Sequence, residues 1–260
     1  MVHVLFWKSN GVAGHRYQTQ PELQMVLPTV TQLDITTTLW LTPALPADAA
    51  GSTDNHRLPE DTHIMGTQRT HRPRFDLYRI LVIDLEATCW QGPPPPGEEH
   101  EIIEIGNAVL HIGDLHVERG PEILVRPTRS SVSPFCTELT SITQEMLDER
   151  GLPFAEAVAA LEAGHGGLQA VVWASYGNYD RKMLTSECER HGVEFPLSDT
   201  HLNVKRLVAL MGGWVRETGM LRAMRRLGLE PMPGATHHRG GDDAVEIARI
   251  LGLAMRGLRG

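Results

Sequence analysis

Two acidic residues, Asp84 and Glu86, lie within the largely apolar segment Tyr78–Ala87. Side chains two positions apart on a β-strand point to the same side, so both carboxylates would share one face of a buried strand. Burying two like charges without a counterion costs several kcal/mol, and a divalent cation between them would remove that cost. A solvated strand end, or an arginine partner for one acid, would explain the pair equally well at this point.

Two further acids and a histidine could belong to the same site. Asp180 falls in the first turn of a predicted helix, where an acid also stabilises the helix dipole without any catalytic role. Asp243 begins the last predicted helix, and His238 stands five residues before it in a glycine-containing loop. The adjacent His237 and His238 could instead form a zinc site, or a solvated turn with capping acids. The chain has no CxxC pair and no HExxH motif that would favour zinc.

Together these residues fit the chemistry of phosphodiester hydrolysis. Four carboxylates from three segments suit two Mg²⁺ or Mn²⁺ ions, which prefer oxygen ligands. Two such ions about 3.5–4 Å apart can stabilise the attacking and leaving oxygens of a phosphodiester displacement. A histidine with an unperturbed pKa of about 6.5 can accept the proton of the attacking water. No serine or cysteine nucleophile is needed, and we interpret Cys89 as a packing residue.

The segments that carry these residues predict an α/β fold with a mixed central sheet. Tyr78–Ala87 and Ala170–Ser175 have the apolar character of buried strands. Two more strands are predicted over Glu101–Ile112 and His116–Val125, joined by a turn at Gly113 and Asp114. Helices are predicted over Ser141–Glu149, Pro153–Ala163, Asn178–His191, Asn203–Met211, Gly219–Leu227 and Gly241–Arg256.

Residues 1–77 differ from the rest of the chain. They are rich in Thr, Gln, His and Pro and show no sustained hydrophobic period. This composition predicts a low-complexity, loosely ordered N-terminal extension (1–77) before a folded domain over 78–260. Met65 is a candidate for the true start of translation.

The overall composition is that of an ordinary globular protein. Of the 260 residues, 41% are hydrophobic and 22% charged, which excludes collagen-like, coiled-coil and wholly disordered chains. The net charge of −8 argues against a basic coat for duplex nucleic acid or a membrane surface. It leaves room for a nucleic-acid enzyme, because metal ions can supply positive charge inside an acidic site. The three cysteines are far apart, and no apolar run reaches about 20 residues. These two features predict a cytoplasmic protein without a membrane partner.

The motifs, taken together, resemble the DEDDh group of the DnaQ-like 3′–5′ exonuclease superfamily, which has the ribonuclease-H-like fold. Asp84-Leu-Glu86 matches the first motif, Asp180 the second, and His238 with Asp243, spaced as HxxxxD, the third. The resemblance extends from Tyr78 to Met255. Within the superfamily, the enhanced-RNAi exonucleases and KapD-type bacterial proteins are similar at Ile83–Trp90, Glu101–Gly106, Phe135–Thr140 with Ile142, Asn203–Lys205 and Asp242–Ala248.

The resemblance implies a role for each matched residue. Asp84 would bridge two metal ions. Glu86 and Asp243 would complete the site of the ion that activates the nucleophile, and Asp180 would serve the other ion. His238 would be the general base, and the products would be nucleoside 5′-monophosphates released from a 3′ end.

Five positions are expected to line the terminal nucleotide by their place in the family pattern: Ala87, Thr88, Phe135, Leu139 and Tyr176. Stacking of a base on Phe135 or Tyr176 would be worth about 1–3 kcal/mol, although both rings could instead pack in the core. Lys182, Lys205 and Arg239 could contact substrate phosphates, but lone basic residues are usually solvated.

These inferences predict a metal-dependent 3′–5′ exonuclease acting on single-stranded RNA or DNA 3′ ends. The slight preference for RNA comes from the branch resemblance alone, since fold and chemistry serve both polymers. The alternatives are a DNA-directed trimming or proofreading exonuclease, a catalytically silent binding module, and a structural protein whose acids hold Ca²⁺. The presence of all the catalytic residues argues against a silent module. A protein partner is compatible with the sequence, but nothing in it indicates one.

Overall fold

The structure is a computed structural model that describes residues 75–259. The first strand begins at Asp76, two residues before the predicted start of the folded domain at residue 78. Residues 1–74 of the predicted extension, including the candidate start Met65, lie outside the described residues.

A five-stranded mixed sheet forms the centre of this part of the chain, in the order β3-β2-β1-β4-β5. The strands are β1 (Asp76–Ala87), β2 (Ile102–His111), β3 (Val117–Arg119), β4 (Val171–Ser175) and β5 (His201–Asn203). The central strand β1 is antiparallel to β2 and parallel to β4. At the edges, β3 is antiparallel to β2 and β5 is parallel to β4.

Helices cover both faces of the sheet. They are α1 (Pro134–Thr140), α2 (Gln144–Arg150), α3 (Phe154–His165), α4 (Tyr179–His191), α5 (Val204–Met211), α6 (Met220–Leu227) and α7 (Gly240–Arg259). Leu81 and Ile83 of β1 face the core formed with α3 and α4, whereas Ile80 and Val82 face the core formed with α5, α6 and α7. Burial on both faces explains why β1 is apolar from Ile80 to Ile83. This layered α/β architecture confirms the predicted fold class.

The strand predicted over His116–Val125 is much shorter in the structure. The paired strand ends at Arg119, and Gly120 and Pro121 follow it. Because proline has no N–H for the ladder, the pairing cannot continue through Pro121. Further along, Leu124 forms only an isolated bridge with Glu104.

The helix predicted over Ser141–Glu149 begins later, at Gln144. Ser141 has a φ of 62° and ends the preceding helix α1, which the sequence analysis did not predict. Strand β5 was also missed, because three residues carry too little periodicity to be recognised. The other predicted helices are confirmed to within a few residues at each end. Among the described residues, no helix is both long and apolar enough to span a bilayer.

Candidate active site

The predicted catalytic acids meet at the end of β1. Asp84 and Glu86 lie near the end of this strand, and Asp243 lies in the first turn of α7. Carboxylate oxygens of these three residues lie within 4.8 Å of one another. The structure therefore brings together acids that are more than 150 positions apart in the chain.

Two glycines allow α7 to approach the sheet so closely. A Cβ atom on Gly106 of β2 would lie 1.8 Å from the carbonyl carbon of Gly240, the first residue of α7. A Cβ atom on Gly240 would lie 2.9 Å from the carbonyl oxygen of Asp84. Any larger residue at Gly106 would push the start of α7 away from the sheet, and Asp243 would move away from Asp84.

Asp180 approaches the same strand from the other side. It lies in the first turn of α4, directly after β4, and its carboxylate accepts a hydrogen bond from the N–H of Leu85 at 3.1 Å. It is not part of the group of three carboxylates within 4.8 Å. Its negative charge nevertheless contributes to raising the pKa of Asp84. The fourth predicted acid is thus next to the cluster but more loosely associated with it.

Crowding and burial raise the pKa values of these acids. Removal from water, followed by the charges of Asp180 and Asp243, raises the pKa of Asp84 well above its usual range. Burial, followed by the charges of Asp243 and Glu104, raises the pKa of Glu86 to about 8. Burial also raises the pKa of Asp180.

The described part of the chain supplies no lysine or arginine to neutralise these charges. Within residues 75–259, no lysine or arginine forms a salt bridge with Asp84, Glu86 or Asp180. Glu86 is only 8% exposed, so water does not solvate it freely either. Clustered carboxylates without a protein cation are the donor set that Mg²⁺ and Mn²⁺ prefer. The residues therefore fit a divalent cation better than a solvated strand end or an arginine partner.

Both histidines of the loop before α7 contact Asp243. The backbone N–H of His238, a residue with a φ of 65°, donates to the Asp243 carboxylate at 3.1 Å. Nδ1 of His237 lies 3.0 Å from the same carboxylate, and the two imidazole rings are 4.0 Å apart. Burial, followed by the charge of His237, lowers the pKa of His238. A lowered pKa keeps the His238 ring neutral near pH 7 and able to accept a proton.

The two histidines and Asp243 also have potential ligand atoms within 4.8 Å of one another. The contact of His237 with a catalytic acid was not foreseen, because the sequence showed only two adjacent histidines. This group shares Asp243 with the carboxylate cluster.

Glu104 is a second feature that the sequence analysis missed. It lies directly opposite Glu86 in the β1–β2 pair and is 2% exposed. Its carboxylate accepts hydrogen bonds from Nε of Arg239 at 3.2 Å and from the N–H of Gly240 at 3.0 Å. Arg239, considered above as a phosphate contact, is instead held in ion pairs with Glu104 and Glu122. Glu104 thereby fixes the loop that carries His238; its only signal in the sequence is a lone acid within an apolar strand.

Two of the residues expected to line the terminal nucleotide lie on the same helix. Phe135 and Leu139 lie four positions apart on α1, hence on the same side of the helix, and both are half-exposed. Ala87, at the end of β1, is 8% exposed.

Thr88 is buried and hydrogen-bonded within the loop after β1. Its side chain is fully buried, and its hydroxyl donates to the carbonyl of Glu99 and accepts from the N–H of Glu101, both at 3.0 Å. Its N–H donates to the carbonyl of Glu101, and its own carbonyl lies 2.6 Å from Nδ1 of His100. Thr88 therefore stabilises the loop after β1, and its contact with the terminal nucleotide stays a prediction.

Two tyrosines, Tyr176 and Tyr179, lie close to Asp180 in the chain. Tyr176 packs against the core and its hydroxyl donates to the carbonyl of Thr218 at 2.9 Å, which favours the packing alternative. Tyr179, which the sequence analysis did not single out, is 55% exposed. Burial of its hydroxyl, followed by the charge of the neighbouring Asp180, raises the pKa of Tyr179 to about 12. Tyr179 is therefore an exposed aromatic ring beside the acids.

Cys89 packs as predicted. It lies against a small core that includes Ile103, Leu124 and Cys136. A hydrogen bond from the Cys89 thiol lowers the pKa of Cys136 to about 7. Both cysteines are free thiols.

Most of this chain is similar in sequence to known proteins. A family model described as Exonuclease (RNase_T) matches residues 81–251, which include every acid and the histidine of the site. The chain belongs to this exonuclease family. It is 33% identical over 191 residues to ERI1 exoribonuclease 3 of Homo sapiens, covering 68% of this chain and 54% of that protein. It is 29% identical over 182 residues to 3′-5′ exoribonuclease 1 of Homo sapiens, covering 66% of this chain and 50% of that protein. The chain thus spans only about half the length of the curated relatives that it matches.

Solved structures indicate which exonucleases this domain resembles. The nuclease domain of 3′hExo, described as a DEDDh family member bound to rAMP, is 28% identical with a TM-score of 0.61, and the match covers 70% of this chain and 92% of that one. A 3′-exonuclease in a structure on 3′-end-specific recognition of histone mRNA stem-loop is 26% identical with a TM-score of 0.61, covering 71% and 65%. These comparisons confirm the predicted relation to the DEDDh 3′–5′ exonucleases of the ERI1-type branch and their fold.

Proposed function

We propose that this protein is a metal-dependent 3′–5′ exonuclease that hydrolyses single-stranded RNA from its 3′ end to nucleoside 5′-monophosphates. The observation that carries the proposal is the group of carboxylates from Asp84, Glu86 and Asp243 within 4.8 Å, which lies beside His238 and has no lysine or arginine partner among the described residues. Membership of the exonuclease family supports the same activity.

Two Mg²⁺ or Mn²⁺ ions are the proposed cofactors. Asp84, Glu86 and Asp243 would hold them, with Asp180 as a further ligand on the α4 side. When bound, such ions lower the pKa of a bound water and stabilise the charge that develops on the phosphate.

The chain's own residues then position the attack and move the proton. His238 accepts the proton of the water whose oxygen attacks the last phosphorus of the strand, and its lowered pKa keeps it neutral for this step. The bond from phosphorus to the 3′ oxygen of the preceding nucleotide breaks. The leaving 3′ oxygen takes up a proton from solvent, so the shortened strand ends in a 3′ hydroxyl, and the terminal nucleotide leaves as a 5′-monophosphate. The bond from the His238 N–H to Asp243 fixes the loop in place for this transfer.

Single-stranded RNA is the proposed substrate class. The similar curated proteins are named as exoribonucleases, and the similar solved structures concern rAMP and a histone mRNA stem-loop. The half-exposed side of α1, with Phe135 and Leu139, and the exposed ring of Tyr179 would surround the terminal nucleotide. The predicted cytoplasmic location agrees with an RNA substrate, and a DNA-directed exonuclease is the alternative.

The experiment that tests this proposal uses 5′-labelled single-stranded RNA and DNA of the same sequence, each with Mg²⁺, Mn²⁺ or EDTA. We expect a ladder that shortens from the 3′ end only with metal, faster on RNA, and absent with Asp84→Asn. Faster shortening of DNA would establish the DNA-directed alternative. Folded protein that leaves both strands intact under every metal would refute the enzyme and favour a binding module.

A further inference from the structure

One segment of this acidic protein is strongly basic. Residues 204–229 contain six lysines and arginines but a single acid, Glu217, in a chain of net charge −8. That acid already pairs with Arg206, whose Nε lies 2.9 Å from its carboxylate. Within the described part of the chain, no salt bridge involves any of the four arginines that follow, at positions 216, 222, 225 and 226.

Three of these four arginines lie on one side of α6. Arg222, Arg225 and Arg226 are spaced at three and four positions, so they share a face of the helix, and all are exposed. Met220 and Met224 occupy the opposite side and pack into the core. We call Arg216 together with these three arginines the basic face. Like charges at this spacing destabilise a helix, and a bound polyanion would remove that repulsion.

A half-buried aromatic ring holds part of the basic face in place. The guanidinium carbon of Arg226 lies 4.9 Å from the centre of the Trp214 ring. A guanidinium stacked in this way loses little further freedom when it binds a phosphate, and its flat fork matches phosphate oxygens.

Residues beside α5 and α6 contact the loop that leads to Asp180. The hydroxyl of Tyr176 donates to the carbonyl of Thr218, two residues before α6 begins, at 2.9 Å. At the start of α5, the side-chain amide of Asn203 donates to Oδ1 of Asn178, two residues before Asp180, at 3.2 Å. Both contacts tie the basic segment to the loop that positions Asp180.

We propose that the basic face binds the phosphates of the RNA upstream of the 3′ end that enters the active site. The inference rests on the proposed function. The acids at the end of β1 repel a polyanionic strand wherever metal does not compensate them, so attraction must come from another surface beside the site. Exposed, unpaired arginines on one helix face supply it, because bidentate arginine–phosphate contacts are strong and carry no base specificity.

The test compares a long single-stranded RNA with a dinucleotide, which has no phosphates upstream of the bond that is cleaved. The variant is Arg222→Gln with Arg225→Gln, which leaves the Arg226–Trp214 contact intact. The matched control is Arg256→Gln, an equally exposed arginine on α7. Binding of the long RNA is measured in the Asp84→Asn background across a range of salt concentrations, and turnover is measured in the otherwise unchanged protein.

We expect the double variant to bind the long RNA about tenfold more weakly, with a slope of log affinity against log salt smaller by about 1.4, since each phosphate contact on a single strand contributes about 0.7. KM for the long RNA should rise with kcat unchanged, dinucleotide hydrolysis should stay at the unsubstituted level, and Arg256→Gln should change none of these.

An unchanged affinity and salt slope in the double variant would overturn the proposal. So would loss of binding to polyglutamate with RNA binding intact, because that result would assign the basic face to an acidic protein partner. Failure of the proposed function would look different, since the unsubstituted protein would then hydrolyse neither the dinucleotide nor the long RNA.

Discussion

Glu86 on β1 and Glu104 on β2 are direct partners across an antiparallel strand pair, and they are 8% and 2% exposed. Their surroundings are otherwise opposite. Glu104 is neutralised by Arg239 and also accepts a hydrogen bond from the N–H of Gly240. Glu86 has no cationic partner among the described residues, and burial together with neighbouring acids raises its pKa to about 8.

The difference shows how one residue type takes two roles at one site. A buried charge must be paired, coordinate a metal or take up a proton. Where the chain provides the cation, as at Glu104, the carboxylate fixes the loop before α7. Where it does not, as at Glu86, the carboxylate is left for an external cation.

The largest effect is expected from substituting Asp84, which belongs to the acids without a lysine or arginine partner among the described residues. Asp84→Asn should reduce kcat for RNA cleavage by several orders of magnitude, because it removes the central carboxylate of the cluster. The fold of the metal-free variant should be retained or stabilised, because like-charge repulsion is relieved. Turnover and the melting temperature in EDTA measure the two effects. A variant that unfolds would instead assign Asp84 a structural role.

The loop that Glu104 fixes carries the proposed base. His238→Ala should lose roughly 10²–10⁴-fold in kcat, the usual contribution of a general base. Since burial lowers the pKa of His238, kcat/KM should rise with pH and reach its plateau at a lower pH than a histidine of ordinary pKa would give. His237→Ala is the matched control and should lose less. Full activity in His238→Ala would remove this residue from the mechanism.

The pH dependence of stability should report the unpaired Glu86 directly. Its pKa is raised from 4.5 to about 8, so between these values the folded state holds a proton that the unfolded state has released. The free energy of unfolding in EDTA should therefore fall as the pH rises from 4.5 to 8, by up to a few kcal/mol. Urea titrations across this range measure the slope. A slope that Glu86→Gln leaves unchanged would contradict the assignment.

The paired and unpaired glutamates should respond in opposite directions to the same substitution. In EDTA at pH 8, Glu86→Gln should increase the free energy of unfolding, whereas Glu104→Gln should decrease it by about 1–3 kcal/mol, because Arg239 loses an ion-pair partner. With Mg²⁺ present, Glu104→Gln should lose roughly 10–100-fold in activity through the displaced loop. If both substitutions changed the free energy of unfolding in EDTA in the same direction, the assignment of opposite roles to Glu86 and Glu104 would be contradicted.

The sequence predicts the unpaired acids far better than it predicts the ion pair of Glu104 with Arg239. Asp84 and Glu86 stand out because acids at strand spacing in an apolar run have few explanations, and the order of Asp180, His238 and Asp243 completes a family pattern. The partner of Glu104 lies 135 positions away, and no local pattern indicates that Arg239 reaches it.

The other missed features have similarly non-local causes. The three-residue strand β5 exists because it pairs with β4, not because of its own sequence. The burial of Thr88 and the exposure of Tyr179 depend on how the loop after β1 and the start of α4 pack. Such features follow from the topology, which a sequence pattern alone does not determine.

The central claim is that a divalent cation is the missing counterion of the unpaired acids. Calorimetric titration of Mg²⁺ into the metal-free protein at pH 8 tests it most directly, with Asp84→Asn, Glu86→Gln and Glu104→Gln measured in parallel. We predict saturable binding in the unsubstituted protein and in Glu104→Gln, and binding that is lost in Asp84→Asn and strongly weakened in Glu86→Gln. Equal Mg²⁺ binding by the unsubstituted protein and Asp84→Asn would contradict the account.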